Sequence, residues 1–220
     1  MGPVRFRPIT PEGLADGLAD LLVSRETDGY SRVGLDGPPP ARPDRLAAAL
    51  VDPLRVRGRP ALAVATAGFL RPASVRLEQG RTNPDSFYEN WFDLSALSRE
   101  VLAPLDPGGT GEVLPDLWDP ATDRATRSRP VPLPPGGVLI LHGPLLLGTG
   151  LALDVAVHLL MTPAALARRI DPDERWTLPA YGRYAAEVAP ETFADVVVRA
   201  DDPDHPAVST DLGNLGMMSR

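Results

Sequence analysis

The chain has 220 residues, a formal net charge of −7 and no cysteine. The length is enough for one sizeable core. The absence of cysteine excludes disulfides, thiolate nucleophiles and cysteine-ligated metal centres. All 22 basic residues are arginines, so mechanisms that need a lysine amine are excluded as well. No basic run indicates nucleic-acid binding. No apolar run has the length of a membrane span or the form of a signal peptide, so the sequence predicts a cytoplasmic protein.

Helices and short apolar strands alternate along the sequence. Leucine and alanine recur at helical spacing over 11–24, with Thr10 as the cap. A second helix is predicted to open at Asp44 and close at Gly58. Almost continuous apolar runs predict buried strands over 31–36, 61–67, 138–142, 153–160 and 194–199. Further helices are predicted over 93–105, 163–170 and 179–187.

This alternation predicts one α/β domain over 1–220, with a sheet of about five parallel strands and helices on both faces. The core is expected to run from about 11 to 206 and to be followed by a tail, 207–220. The tail is predicted either to be poorly ordered or to dock through its apolar side chains, Leu212, Leu215, Met217 and Met218.

The stretch GLDGPPPARPDRL, residues 34–46, has the strand–turn–helix setting in which backbone N–H groups can hold a phosphate. In the pattern G-x-x-x-x-G-K-[ST], counted from Gly37, Arg42 replaces the second glycine, Pro43 the lysine and Asp44 the hydroxyl residue. The four prolines of the loop carry no N–H, and the Asp44 carboxylate repels phosphate at the helix start. The sequence therefore predicts a degenerate phosphate loop and no bound cofactor, ATP and magnesium included.

The order and spacing of several segments resemble the uridine kinase family of P-loop nucleoside kinases over about 14–206. The segments are VGLDGPP, LAAALVDPLRVRGRP, FLRPASVR, DSFYENWFDLSALSREVLAPL, WDPATDR, VLILHG and ADVVVRADDP. The resemblance implies a three-layer P-loop NTPase-like fold. It also implies transfer of the γ-phosphoryl group of ATP to a nucleoside 5′-hydroxyl.

Two catalytic positions of that family are altered here. Such kinases usually present Asp before Phe as the base for the sugar hydroxyl, where this chain has Ala67, Gly68 and Phe69. The acidic residue associated with magnesium after the third core strand is replaced by His142. Because phosphoryl transfer depends on positioning and charge neutralisation, these changes argue against kinase activity.

Asp36 and His142 are the candidate catalytic residues. Both are predicted at the carboxyl ends of parallel strands, where open α/β folds bind ligands, so they could form an acid/base pair. The alternative is a structural role in which His142 hydrogen-bonds Asp36 or a backbone carbonyl. His158 is interpreted as a core histidine, and the three histidines are not spaced as metal ligands, so no metal site is predicted.

Aromatic and arginine side chains are concentrated in 69–93, where the resemblance implies the nucleoside pocket. Such side chains can stack on a flat ligand or clasp a carboxylate. The predicted ligand-binding residues are Gly37, Arg42, Phe69, Arg71, Tyr88, Trp91 and Asp93. In the alternative, Phe87, Trp91 and Phe92 only anchor the following helix to the core.

Three hypotheses of function follow from the sequence. The first is a pseudokinase that binds a small planar or nucleoside-like molecule, or a protein partner. The second is an enzyme that uses the old cleft for acid/base chemistry through His142 and Asp36. The third is an atypical nucleoside kinase in which Arg42 replaces the lysine charge. The sequence leaves the ligand, the oligomeric state and any protein partner open.

Overall fold

The computed structural model describes residues 6–25 and 29–209. The predicted behaviour of Leu212, Leu215 and the two methionines therefore lies outside the described residues. The strands are β1 (Arg7–Pro8), β2 (Ser31–Asp36), β3 (Ala61–Ala65), β4 (Glu112–Val113), β5 (Trp118–Asp119), β6 (Arg124–Ala125), β7 (Val131–Pro132), β8 (Val138–Gly143), β9 (Val155–Leu160), β10 (Val196–Arg199) and β11 (Ala207–Val208).

The central sheet contains the five predicted parallel strands and an antiparallel extension at one edge. Its order is β1-β11-β10-β9-β2-β8-β3, which places β2 between β8 and β9. The pairs β10–β11 and β1–β11 are antiparallel. These two-residue edge strands have no apolar run, and sequence patterning did not predict them.

The helices predicted over 11–24, 44–58, 163–170 and 179–187 are present, whereas two short helices over 73–76 and 84–90 were not predicted. The helices are α1 (Pro11–Ser24), α2 (Pro43–Val56), α3 (Ala73–Arg76), α4 (Pro84–Asn90), α5 (Leu94–Ala96), α6 (Pro163–Arg169) and α7 (Leu178–Glu187). The Thr10 hydroxyl caps α1 by accepting from the Gly13 N–H at 3.0 Å. Gly58 follows α2 with a φ of +78°, a conformation that glycine adopts without strain.

The segment predicted as one helix over 93–105 is helical but not uniformly α. Asp93 caps it by accepting from the Ala96 N–H at 2.9 Å. After α5 the backbone becomes π-helical over Leu97–Leu102 and 3₁₀-helical over Ala103–Leu105. Composition alone does not distinguish these three helical forms.

Helices cover both faces of the sheet and make three layers. On one face α1 and α2 pack against β2 through buried residues such as Leu18, Leu50 and Leu35. On the other face the helical segment 94–105 packs through Leu97 against Leu141 of β8. The predicted α/β class with helices on both faces is confirmed.

The loop-rich region between the helical segment 94–105 and β8 contains two small strand pairs. There β4 pairs with β7, and β5 pairs with β6. Among residues 6–25 and 29–209, no helix is both long and apolar enough to cross a membrane.

Candidate functional site

The loop that connects β2 to α2 lies at the carboxyl edge of the sheet. Its prolines set the path of the chain, because Pro39–Ala41 forms a 3₁₀ turn and Pro43 begins α2. Between them Arg42 has a φ of +56° and a ψ of +53°, the left-handed conformation that glycine adopts most easily. The backbone at this position is therefore glycine-like although the residue is arginine.

The backbone N–H groups of this loop are either absent or already bonded. The Gly37 N–H donates to the Gly143 carbonyl at 3.1 Å. The N–H groups of Ala41 and Arg42 donate to carbonyls within the loop, those of Pro38 and Pro39, at 2.8 and 2.9 Å. The remaining residues up to position 43 are prolines. No backbone donor from position 37 to 43 is left for an anion.

The Arg42 side chain extends toward the segment that follows β10. Its guanidinium lies 3.4 Å from an Asp204 carboxylate oxygen, and Arg45 donates to the same oxygen at 2.9 Å. The side chain of Arg42 is 46% exposed, that of Arg45 61% and that of Asp204 53%. Ion pairs exposed to this degree are weak, so the two guanidinium groups could exchange Asp204 for another anion.

Asp36 is fully buried at the end of β2 and is surrounded by donors. One carboxylate oxygen lies 2.7 Å from Nδ1 of His158 and accepts from the Tyr184 hydroxyl at 3.1 Å. The other accepts from the Leu146 N–H at 2.9 Å. The Tyr184 hydroxyl in turn accepts from the Leu147 N–H at 2.9 Å. This network joins β2, β9 and α7 to the loop after β8.

Burial, reinforced by the charge of Asp36, raises the pKa of Tyr184 above its ordinary value. The phenol therefore stays protonated and can donate to the carboxylate. A buried carboxylate is tolerated when donors surround it. The arrangement is that of a structural anchor for the loop after β8.

The predicted pair of Asp36 with His142 does not form, and this expectation is corrected. In the parallel register Asp36 is level with His158, while His142 is level with Leu35. Because side chains alternate between the faces of a sheet, His142 lies on the face opposite to Asp36. The histidine that contacts Asp36 is His158, which the sequence had indicated only as a core residue.

His142 lies on the α2 side of the sheet and is partly buried. Burial lowers the pKa of His142, and the nearby Asp44 carboxylate at the start of α2 opposes that change. Within the part of the chain that the structure describes, the His142 side chain has no hydrogen bond or ion pair. A hydrogen bond to Asp36 or to a backbone carbonyl is therefore not observed.

Three of the predicted ligand-binding residues in 69–93 have structural contacts. Phe69 is fully buried in the core. Asp93 caps the helix that follows it. Arg71 donates to the Asn90 side chain at 3.3 Å. None of these contacts by itself favours a ligand.

Trp91 belongs to an aromatic cluster between α4 and α7, and Tyr88 lies beside it. Phe87 lies at its centre, with ring centroids 5.4 to 6.1 Å apart among the members Phe87, Trp91, Phe92, Trp176 and Tyr181. The Arg76 guanidinium lies 5.0 Å above Trp91, and that of Arg183 lies 4.4 Å above Tyr88. An arginine of the chain itself therefore covers one face of each of these two rings.

A pocket of about 120 Å³ opens on the α1–α2 face of the sheet. It lies between the starts of α1 and α2 and the segment after β10, and Arg42 and Arg45 line it together with mostly apolar side chains. Of the predicted ligand-binding residues only Arg42 contributes. Sequence reasoning missed this pocket because its walls come from four separate parts of the chain. Within the described ranges no group of three or more His, Asp or Glu side chains could hold a metal ion.

The five parallel strands with helices on both faces give the chain an α/β fold that two solved structures share. A possible uridine kinase from Bacillus stearothermophilus shares this fold, with a TM-score of 0.68 and 20% identity over 83% of this chain and 96% of that chain. A candidate fructose transport system kinase from Silicibacter sp. TM1040 also shares it, with a TM-score of 0.56 and 23% identity over 84% of this chain and 95% of that chain. No protein-family model and no curated protein matches the sequence.

Proposed function

We propose that this chain is a kinase-fold protein that has lost ATP-dependent phosphoryl transfer and works by binding a small molecule or a protein partner. The observation that carries the proposal is the loop between β2 and α2. Its N–H groups from Gly37 to Pro43 are absent or bonded within the protein. A phosphate held by this loop would have no backbone donors before the first turn of α2.

The charged groups around the loop support the same proposal. The chain has no lysine to contact the phosphates, and the Arg42 guanidinium is directed at Asp204. Asp44 stands where a magnesium-binding hydroxyl is needed and adds negative charge at the start of α2. Phosphoryl transfer needs positioning and charge neutralisation together, and this site supplies neither through the loop.

Binding is better supported in the pocket between α1, α2 and the segment after β10 than in the aromatic cluster. The pocket is open to a ligand, whereas the rings of the cluster pack against one another, and arginines lie over Trp91 and the neighbouring Tyr88. Occupancy of the pocket would act on the rest of the protein only if the ligand binds two conformations with different affinities. A nucleoside-like ligand remains one of the ligand classes to be screened.

An ADP-release assay tests the loss of phosphoryl transfer. Purified protein is incubated with magnesium, ATP and a panel of nucleosides, and ADP is compared with a blank that lacks the protein. We expect no ADP above the blank and no calorimetric signal for Mg·ATP in the millimolar range.

The result that would overturn the proposal is ADP release that Arg42→Gln abolishes while the fold is retained. That outcome would establish the atypical kinase, in which Arg42 supplies the missing lysine charge. Release that persists unchanged in Arg42→Gln would point to a contaminating kinase, and a second purification with the same variant pair would decide it.

A further inference from the structure

We infer that the pocket between α1, α2 and the segment after β10 binds a small monocarboxylate with an apolar body. The inference rests on the binding half of the proposed function and names a ligand class for it. The carboxylate would lie at the mouth between Arg42 and Arg45, and the hydrocarbon body would fill the interior.

The interior of the pocket is apolar and well defined. Its walls include buried side chains from two layers of the fold, namely Leu14 and Leu46 of the helices α1 and α2, and Leu159 and Val198 of the sheet. A volume of about 120 Å³ accommodates a body of roughly five to ten non-hydrogen atoms, judged from the volume that water molecules need. Burying such a body is favourable because apolar surface leaves water.

The mouth of the pocket brings two arginine side chains together. The guanidinium groups of Arg42 and Arg45 both form an ion pair with the same carboxylate, that of Asp204. Glu12 also lines the pocket, but it stands in the first turn of α1, where its charge offsets the positive end of the helix dipole. The four charges balance in number, so a ligand anion would be held by the unused N–H donors of the two arginines and not by a net positive charge.

The guanidinium geometry favours a carboxylate. Each arginine has five N–H donors in a planar fork, and the hydrogen bonds observed here use one Arg42 donor and one Arg45 donor. The longer contact, 3.4 Å from Arg42 to Asp204, is between exposed groups, so a ligand carboxylate could replace it at little cost.

The direct test is binding of 4-methylpentanoate, compared with its neutral analogue 4-methylpentanamide. We expect the carboxylate to bind by calorimetry and to raise the melting temperature, and the amide to bind at least about tenfold more weakly. Inorganic phosphate is the third probe, and we expect no binding because it has no apolar body. Equal binding of carboxylate and amide, or no binding of the carboxylate, would overturn the inference.

Variants locate the ligand and test the charges. Ala49 lines the pocket and Ala48 does not, although both are exposed on α2. Ala49→Leu should therefore abolish binding, and Ala48→Leu should leave it unchanged. Arg45→Gln should weaken binding by about tenfold, whereas Glu12→Gln should strengthen it because it removes a negative charge. Binding that is unaffected by Ala49→Leu would place the ligand elsewhere and end the proposal.

The loss of phosphoryl transfer and the binding of a carboxylate can be refuted independently of each other. Absence of carboxylate binding, with the ADP assay silent, removes the ligand class and leaves the loss of phosphoryl transfer standing. ADP release that depends on Arg42 removes the proposed function whatever the carboxylate does.

Discussion

Asp36 is fully buried at the end of β2, and both of its carboxylate oxygens have hydrogen-bond partners. Three groups donate to or contact its two oxygens, from His158, Tyr184 and the Leu146 backbone. Because the side chain is fully buried, water cannot replace these partners. Its partners come from β9, α7 and the loop after β8, so a single side chain ties together three parts of the fold.

We expect Asp36→Asn to lower the free energy of unfolding by about 2–4 kcal/mol, because a buried hydrogen-bonded charge is lost while its partners stay in place. Urea denaturation followed by circular dichroism measures the change. Asp204→Asn is the exposed control and should cost less than about 1 kcal/mol. Equal costs for the two variants would show that the Asp36 network contributes nothing special.

His142 makes stability depend on pH. Its folded pKa is lowered by burial, so the unfolded chain takes up the proton first as the pH falls below about 6.5. Protonation of this group therefore lowers the free energy of unfolding as the pH falls, and has no effect on it at a pH where His142 is neutral in both states. We expect the urea midpoint to fall between about pH 7.5 and about pH 5.5, and to fall less in His142→Gln. The same fall in both proteins would contradict this prediction.

The difference between His142 and His158 shows the limit of sequence reasoning at this scale. Both follow apolar residues in predicted strands, and each was placed in the correct strand. Which face a strand residue occupies depends on the register with its neighbours, and a shift of one residue reverses it. Asp36 therefore pairs with His158, although only His142 stood at a predicted strand end.

At the scale of elements, the aromatic cluster joins α4 to α7. Phe87 contacts Trp91, Trp176 and other rings in edge-on geometry, which adds a specific attraction to the burial of the rings. The sequence had left open whether these rings bind a ligand or anchor a helix. Their mutual packing joins α4 to α7 and to Trp176 before it, whereas the alternative was that they anchor the helix that follows them, so that alternative stays a prediction.

We expect Phe87→Ala to cost about 3–5 kcal/mol, the usual range for a buried phenylalanine. Tryptophan fluorescence should change at the same time, because Trp91 and Trp176 both contact the ring. Phe193, which is 56% exposed, provides the control: Phe193→Ala should change stability by less than about 1 kcal/mol. A mild effect of Phe87→Ala would mean that the cluster tolerates an opening large enough for a ligand.

The elements that could be predicted are those with a strong local signal. Caps, prolines at helix starts and apolar runs identified α1, α2 and the five parallel strands. The edge strands β1 and β11 have two residues each, so they carry no periodicity and exist only because β10 offers a free edge.

At the scale of the whole molecule, the fold class was predictable because each parallel strand is buried on both faces and therefore apolar throughout. The pocket was not, since Leu14, Leu46 and Val198 reach it from separate parts of the sequence. Its lining depends on how α1, α2 and the sheet stack, which no local pattern contains. The loop between β2 and α2 could be predicted in part, because its prolines show directly which backbone N–H donors are absent.

The strand order has a consequence for how the protein is made. The first core strand, β2, lies between β8 and β9, and the partners of Asp36 lie 110, 122 and 148 residues further along the chain. A ribosome would therefore release β2 and β3 long before β8, the strand that separates them, has been synthesised. Until β8 is made, β2 and β3 lack the strand that joins them, although α1 and α2 can already cover one face of β2, so we expect the sheet to close late in folding.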